Sequence, residues 1–338
     1  MRNIKLKIVV NTILLALATS SLHAQYVPDM LGDGYESLTL EMKDDSKGEV
    51  IATLVRRYQP EQTKRAILYI HGYNDYFFQK EMGDRFSDSL WNFYALDLRR
   101  YGRSMLDSRE PFEITDLSEY FEDIDAALSQ IIFEGSCEIV LMGHSTGGLI
   151  TSLYCNETDK QIDGLIINSP FFDMNMSWFE ESVAVPLISI AARWFGDITV
   201  QSPSDVVGNY AKSIHSQFYG EWNFDTSLKS LSDKRITSGW MRAIHTGHTT
   251  IQSGMDIKCP VLLLYSDKSI KGGVWSEDFQ CADAVLDVED IKKYGDNIGE
   301  NVEKVEIKDG LHDLVLSKLD VRENAYFQIF KWLSEIGL

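Results

Sequence analysis

Basic residues are scarce in this chain of 338 residues: 32 Lys and Arg stand against 51 Asp and Glu, a formal charge of −19. Beyond the first seven residues no basic run occurs. A surface of that sign repels phosphate backbones and anionic lipid, which argues against a nucleic-acid partner. Cysteine is sparse too. Cys137, Cys155, Cys259 and Cys281 are scattered too widely for a disulfide framework, so free buried thiols are expected, with one bridge left open. No internal repeat and no low-complexity tract is found.

A membrane-spanning run is also missing near the start of the chain. The apolar stretch from Ile8 to Ala18 is interrupted by Asn11 and Thr12, and it falls well short of the roughly 20 residues a bilayer requires. Arg2, Lys5 and Lys7 precede it and SSLHAQ follows, offering a cut after Ala24. Residues 1–24 therefore read as a signal peptide, although Leu22 is larger than the residue usually found three positions before the end of a leader. No Cys stands near the cut to accept a lipid. Export to the periplasm or beyond is expected, without stable membrane insertion.

What the chain does have is a strand-rich rhythm. ESLTLEM (36–42) and EVIATLVRRY (49–58) alternate around the turn cluster KDDSKGE and read as a hairpin. Six short apolar runs follow: 65–70, 92–98, 138–143, 163–169, 259–266 and 302–308. Near-continuous apolar strands separated by longer segments mean a mostly parallel sheet with helices on both faces, an α/β architecture of eight strands. In LSEYFEDIDAALSQI, residues Leu117, Tyr120, Phe121, Ile124, Leu128 and Ile131 share one helical face, with Asp116 placed to cap it. ENAYFQIFKWLSEIGL closes the chain as a second amphipathic helix. The alternation fails between about 171 and 252, a region with no clear strand that holds Trp178, Trp194, Trp222 and Trp240 and a hydrophobic helix candidate at 183–196. It reads as a helical insertion over the top of the sheet, within a single domain spanning 25–338.

The chemistry starts at IVLMGHSTGGLI, residues 139–150. A strand, a G-H-S-T-G turn and a helix start are what a nucleophile elbow requires, since the glycines remove Cβ atoms that would clash in so tight a bend. Ser145 is then the nucleophile, and it needs a base. His71 and His144 precede it; His215, His245 and His248 lie in the irregular region. His312, in EIKDGLHDL, follows the last strand on a loop opened by Asp309-Gly310, where a base can reach the carboxyl edge of the sheet. YIHGYND (69–75) ends the first central strand and can turn the Tyr73 N–H toward the site. With the Thr146 N–H it would form an oxyanion hole. His71 is then structural, bonded to backbone, and Asp97 and Arg99 pin loops. His245 and His248 share a helix face, but no Cys or carboxylate stands at ligand spacing, so neither metal nor cofactor is expected.

HGY, the strand with DLRRYGRS, GHSTGG and the late GLHD together resemble the α/β-hydrolase superfamily, most of all its branch of monoacylglycerol lipases, lysophospholipases and serine aminopeptidases. The resemblance covers about 35 to 338 and places the insertion where such enzymes carry a lid. It implies Ser145 as nucleophile, His312 as base, and the amides of Tyr73 and Thr146 as oxyanion donors. The family places its acid about four residues past the end of the seventh strand, a slot that holds Ser269 here. ADAVLDVEDIKKY looks like the family's acid turn and following helix, displaced by the insertion SIKGGVWSEDFQ. That alignment implies Asp283 as acid and Asp287 as helix cap, with Asp287 and Asp267 remaining as alternatives for the acid. The implied activity is hydrolysis of a small-molecule carboxylic ester carrying an acyl chain, through an acyl-enzyme. Two rivals stay open: cleavage of peptides from an N-terminus, with Glu180, Glu181 or Glu221 holding the amine, and a non-catalytic binder on the same fold. The oligomeric state is not legible.

Overall fold

The computed structural model describes residues 25–32, 34–59, 62–174 and 198–338. The leader (1–24), the hydrophobic helix expected over 183–196, and Trp178, Glu180, Glu181 and Trp194 lie outside the described residues. In chain order the strands are β1 (Val27–Pro28), β2 (Glu36–Glu41), β3 (Ile51–Arg57), β4 (Arg65–Ile70), β5 (Asn92–Asp97), β6 (Glu138–His144), β7 (Gly164–Asn168), β8 (Thr199–Gln201), β9 (Ile236–Thr237), β10 (Val261–Ser266) and β11 (Val302–Ile307). The helices are α1 (Lys80–Asp88), α2 (Glu119–Phe133), α3 (Thr146–Glu157), α4 (Asn209–Ile214), α5 (Ser238–Gln252), α6 (Val288–Gly295) and α7 (Leu319–Glu335).

Nine strands form the main sheet, in the order β1-β2-β3-β5-β4-β6-β7-β10-β11. β1 to β3 and β5 pair antiparallel in succession, and every pairing from β5 to β11 is parallel. Eight were expected. The ninth, β1, is two residues long and pairs only Val27 with Ser37 and Pro28 with Glu36, too short to carry an alternation. A second correction concerns the irregular region: β8 and β9 pair antiparallel there, again as fragments too brief to show a period. The α2 cap also differs. Ser118 occupies the cap position, and Asp116, two residues earlier, instead accepts from the Ser118 N–H at 2.9 Å.

The core lies on both faces of the sheet, because side chains alternate along each strand. Ala66, Leu68 and Ile70 of β4 join one buried cluster with Ile124 of α2, Leu149 of α3, Ile244 of α5 and Ile291 of α6. Ile67 and Tyr69 point the other way, into a cluster with Met82 and Phe86 of α1 and Ile329 and Trp332 of α7. Helices on both faces explain why the central strands read as apolar runs. All four cysteines are free, but Cys137 is exposed and the others only partly covered, so the expectation of buried thiols does not hold. Cys137 sits just ahead of β6, outside the sandwich between sheet and helices. No described helix is long and apolar enough to cross a membrane.

This topology creates one special crevice. From β4 the chain crosses to β5 on one side, then returns past β4 to β6 and β7 on the other. The loops leaving β4 and β6 therefore diverge, and the carboxyl ends of these two neighbours open a gap at the edge of the sheet. His71-Gly72-Tyr73 leaves β4 there, and Ser145-Thr146 leaves β6.

Candidate active site

Ser145 stands between the end of β6 and the start of α3 with φ 53° and ψ −118°, a backbone that side chains other than glycine rarely adopt. Such a residue carries strain of about 1–3 kcal/mol, which the surroundings must hold in place. Here they do. Its N–H donates to Asn168 O at 3.0 Å, and its carbonyl accepts from Leu149 and Phe171 at 3.1 and 3.0 Å. The two fencing glycines are required by close approach. A Cβ on Gly147 would overlap the carbonyls of Ile70 and His71, and one on Gly143 would overlap Gly147 O and Thr151 Oγ1. The side chain of Ser145 is buried to 8% exposure. Thr146 opens α3, so its N–H is one of the helix's unpaired donors. Among the described residues neither this amide nor that of Tyr73 donates to a protein acceptor.

His312 follows β11 on a loop whose turn is fixed by Asp309 at φ 58° and by the bond from Gly310 N–H to Ile307 O at 3.2 Å. Its Nδ1 lies 2.9 Å from Asp283 Oδ2, and both side chains are almost wholly buried. The other carboxylate oxygen, Oδ1, accepts the Val285 and Leu286 N–H groups, each at 2.8 Å. Asp283 is thus held from its own loop and aimed at the imidazole. The other two candidates for the acid are engaged elsewhere. Asp267 accepts the Asp309 N–H at 2.7 Å, and Asp287 caps α6 through Glu289 N–H at 3.2 Å while pairing with Lys271. Ser269, which holds the ordinary acid slot by count, pairs with Asp283 through a parallel backbone bridge. The intervening residues loop out and return the chain to the same place.

With Nδ1 facing Asp283, the nitrogen left for Ser145 is Nε2. The two side chains make no hydrogen bond among the described residues, and catalytic contacts of this kind are often long before substrate binds. The surrounding groups keep the histidine in place. Tyr210 of α4 meets its ring edge-on with centroids 5.5 Å apart, and His144 packs on it at 4.9 Å. Burial, reinforced by His312 itself, holds His144 far below the ordinary imidazole range, so it stays neutral. Asp313, the next residue, faces away into a buried network with Asn168 Nδ2 at 2.7 Å and Gln79 Nε2 at 3.2 Å. Burial raises its pKa. Nothing local in the sequence pointed to Gln79, whose partner lies 234 positions away.

The remaining expected residues are structural. His71 accepts the Leu98 N–H at Nε2 (3.1 Å), which leaves Nδ1 to donate to Gly72 O (2.8 Å). Asp97 holds Phe77 N–H and Arg103, and Arg99 pairs with buried Asp123 of α2, so both pin loops. His248 of α5 bonds Phe171 O at 2.9 Å. Among the described residues no cluster of three or more His, Cys, Asp or Glu side chains could hold a metal.

A cavity of about 700 Å³ adjoins this site. Tyr73, Phe171, Tyr210, Ala284 and Val285 line it, each next to or in contact with a member of the constellation, and Trp240, Phe224 and Phe279 add an aromatic wall. Glu221 is not in that lining. It pairs with Arg322 at 2.8 Å on the surface.

Residues 61–270 match the family described as serine aminopeptidase, S33. The chain belongs to the serine aminopeptidase S33 family. Within the superfamily of α/β-hydrolases, this S33 chain is similar in structure to a monoglyceride lipase from Saccharomyces cerevisiae bound to a substrate analogue, at 13% identity and a TM-score of 0.60 over 88% of this chain and 96% of that one. It is also similar to the Paleococcus ferrophilus monoacylglycerol lipase (16%, TM-score 0.56, 89% and 100% covered) and to a thermostable carboxyl esterase from Bacillus coagulans solved with glycerol (12%, 0.62, 89% and 98%). At such identities the likeness establishes the α/β-hydrolase fold. The segment matched to the S33 family contains Ser145, Tyr73 and Thr146, whereas Asp283 and His312 lie beyond it.

Proposed function

We propose that this protein is an exported serine hydrolase that cleaves carboxylic esters through an acyl-enzyme. The observation that carries the reading is the buried Asp283–His312 pair, set at the same sheet edge as the strained Ser145 turn. His312 Nε2 takes the Ser145 proton as Oγ attacks the carbonyl carbon, and Asp283 stabilises the imidazolium that results. The N–H groups of Tyr73 and Thr146 receive the oxyanion, whose charge exists only in the tetrahedral state. As that state collapses, the ester C–O bond breaks and His312 returns its proton to the leaving alcohol. Water, deprotonated by the same imidazole, then releases the acid.

The aromatic and aliphatic lining of the cavity favours an acyl substrate such as a monoglyceride or lysolipid. The lipases and the esterase of similar structure support the same substrate class. The family description keeps an aminopeptidase activity as the second reading. That reading needs an acidic group beside the substrate amine; Glu221 is committed to Arg322, Glu180 and Glu181 lie outside the described residues, and Asp233 is an acidic residue in the cavity lining. Export rests on the leader read at residues 1–24. Rates on p-nitrophenyl acyl esters and aminoacyl anilides test the substrate class directly. Turnover of the esters in large excess is expected, and preferential anilide cleavage would contradict it.

A further inference from the structure

The two proposed oxyanion donors are supported in different ways. Thr146 is the first residue of α3, and the helix fixes its amide. Tyr73 lies in the stretch between β4 and α1, which has no regular secondary structure to hold it. Its support comes instead from residues 225–235, far along the chain. Tyr73 Oη donates to Arg235 O at 3.2 Å. Asn74 makes a two-point bond to the backbone of one residue: Nδ2 donates to Ser230 O at 2.9 Å, and Oδ1 accepts the Ser230 N–H at 3.1 Å. Asp75 pairs with Lys229 at 2.7 Å, both side chains nearly inaccessible. Tyr76 Oη accepts the Asp225 N–H at 2.9 Å. Four consecutive residues are thus fastened to one remote segment.

We propose that the 225–235 segment positions the Tyr73 amide for the oxyanion, with Asn74 as the central positioning residue. This rests on the serine-hydrolase reading above. An oxyanion donor is effective only when fixed before charge develops, because reorganisation during the reaction cancels its gain. Asn74 adopts φ 50°, a left-handed backbone that Asn tolerates better than most residues, and the paired bonds to Ser230 hold it there. The Lys229 ammonium is further enclosed by the rings of Phe78 and Phe224, so the ion pair has little room to rearrange. Asn74, Lys229 and Ser230 also line the cavity, which places the fastening within reach of a bound substrate.

The test is Asn74→Gly, which keeps the left-handed backbone accessible and removes both bonds to Ser230. Removing a whole oxyanion donor costs about 10²–10³ in kcat, so displacing one should cost about tenfold or more, with KM for p-nitrophenyl butyrate nearly unchanged. Affinity for an alkyl boronic acid, which mimics the tetrahedral state, should fall in parallel. Asn74→Asp, keeping only the acceptor, should be intermediate. The double variant Asp75→Asn/Lys229→Met strands no charge and should show the same split of kcat from KM. A raised KM with unchanged kcat would overturn the proposal, as would wild-type constants in Asn74→Gly. A wild-type protein that neither turns over ester nor reacts with a fluorophosphonate would instead contradict the reading beneath it. Labelled, active wild type with unaffected Asn74→Gly would contradict the positioning alone.

Discussion

Asp283 Oδ2 stands 2.9 Å from His312 Nδ1, and the backbone of Asp283 is bridged to Ser269. Counting from the end of β10 leads to Ser269, yet the carboxylate arrives from a loop that leaves and returns. The loop thus brings Asp283 back beside the position that Ser269 holds by count.

The first prediction follows from that placement. Asp283→Asn should lower kcat by about 10³–10⁴, because the imidazole loses the partner that fixes its tautomer. Asp267→Asn and Asp287→Asn should stay near wild type in steady-state ester hydrolysis, since those carboxylates hold backbone N–H groups elsewhere. Loss in either of these with retained activity in Asp283→Asn would reassign the acid.

Gly147→Ala should fail at the elbow itself. The added methyl meets the carbonyls of Ile70 and His71, backbone atoms of a central strand and its exit that cannot step aside. A destabilisation of about 1–3 kcal/mol or more is expected in chemical denaturation, with loss of ester hydrolysis in whatever protein folds.

Acid should weaken the fold through His248. Burial depresses its pKa from 6.5 to about 4, so between those values the unfolded chain binds a proton that the folded chain does not. Stability is therefore full above pH 6.5 and falls as the pH drops toward 4, by up to about 3 kcal/mol from this group. Urea titrations across that window should show the acid limb flatten in His248→Gln. An unchanged slope would contradict the assignment.

Glu221→Gln should leave the ratio of anilide to ester cleavage unchanged, because its carboxylate faces Arg322 rather than the cavity. A selective fall in anilide rate would revive the aminopeptidase reading.

Much of this was legible in the sequence, for identifiable reasons. The parallel strands announced themselves because both faces are buried, and the Ser145 turn because its glycines are sterically forced. β1, β8 and β9 were not legible, being two or three residues long. Asp283 needed a family pattern, since an isolated Asp in a loop carries no period. Lys229 and Asp75, or Gln79 and Asp313, could not be paired at all. Each is an ordinary polar residue until a fold with contacts between distant segments brings it to its partner.

The central claim is that Ser145 Oγ is a nucleophile activated by His312. Reaction of the purified protein with a fluorescent fluorophosphonate, beside Ser145→Ala and His312→Ala controls, tests it most directly. The account predicts stoichiometric labelling of the wild type, none of Ser145→Ala and very slow labelling of His312→Ala. An unlabelled wild type, or a Ser145→Ala variant labelled like the parent, would contradict it.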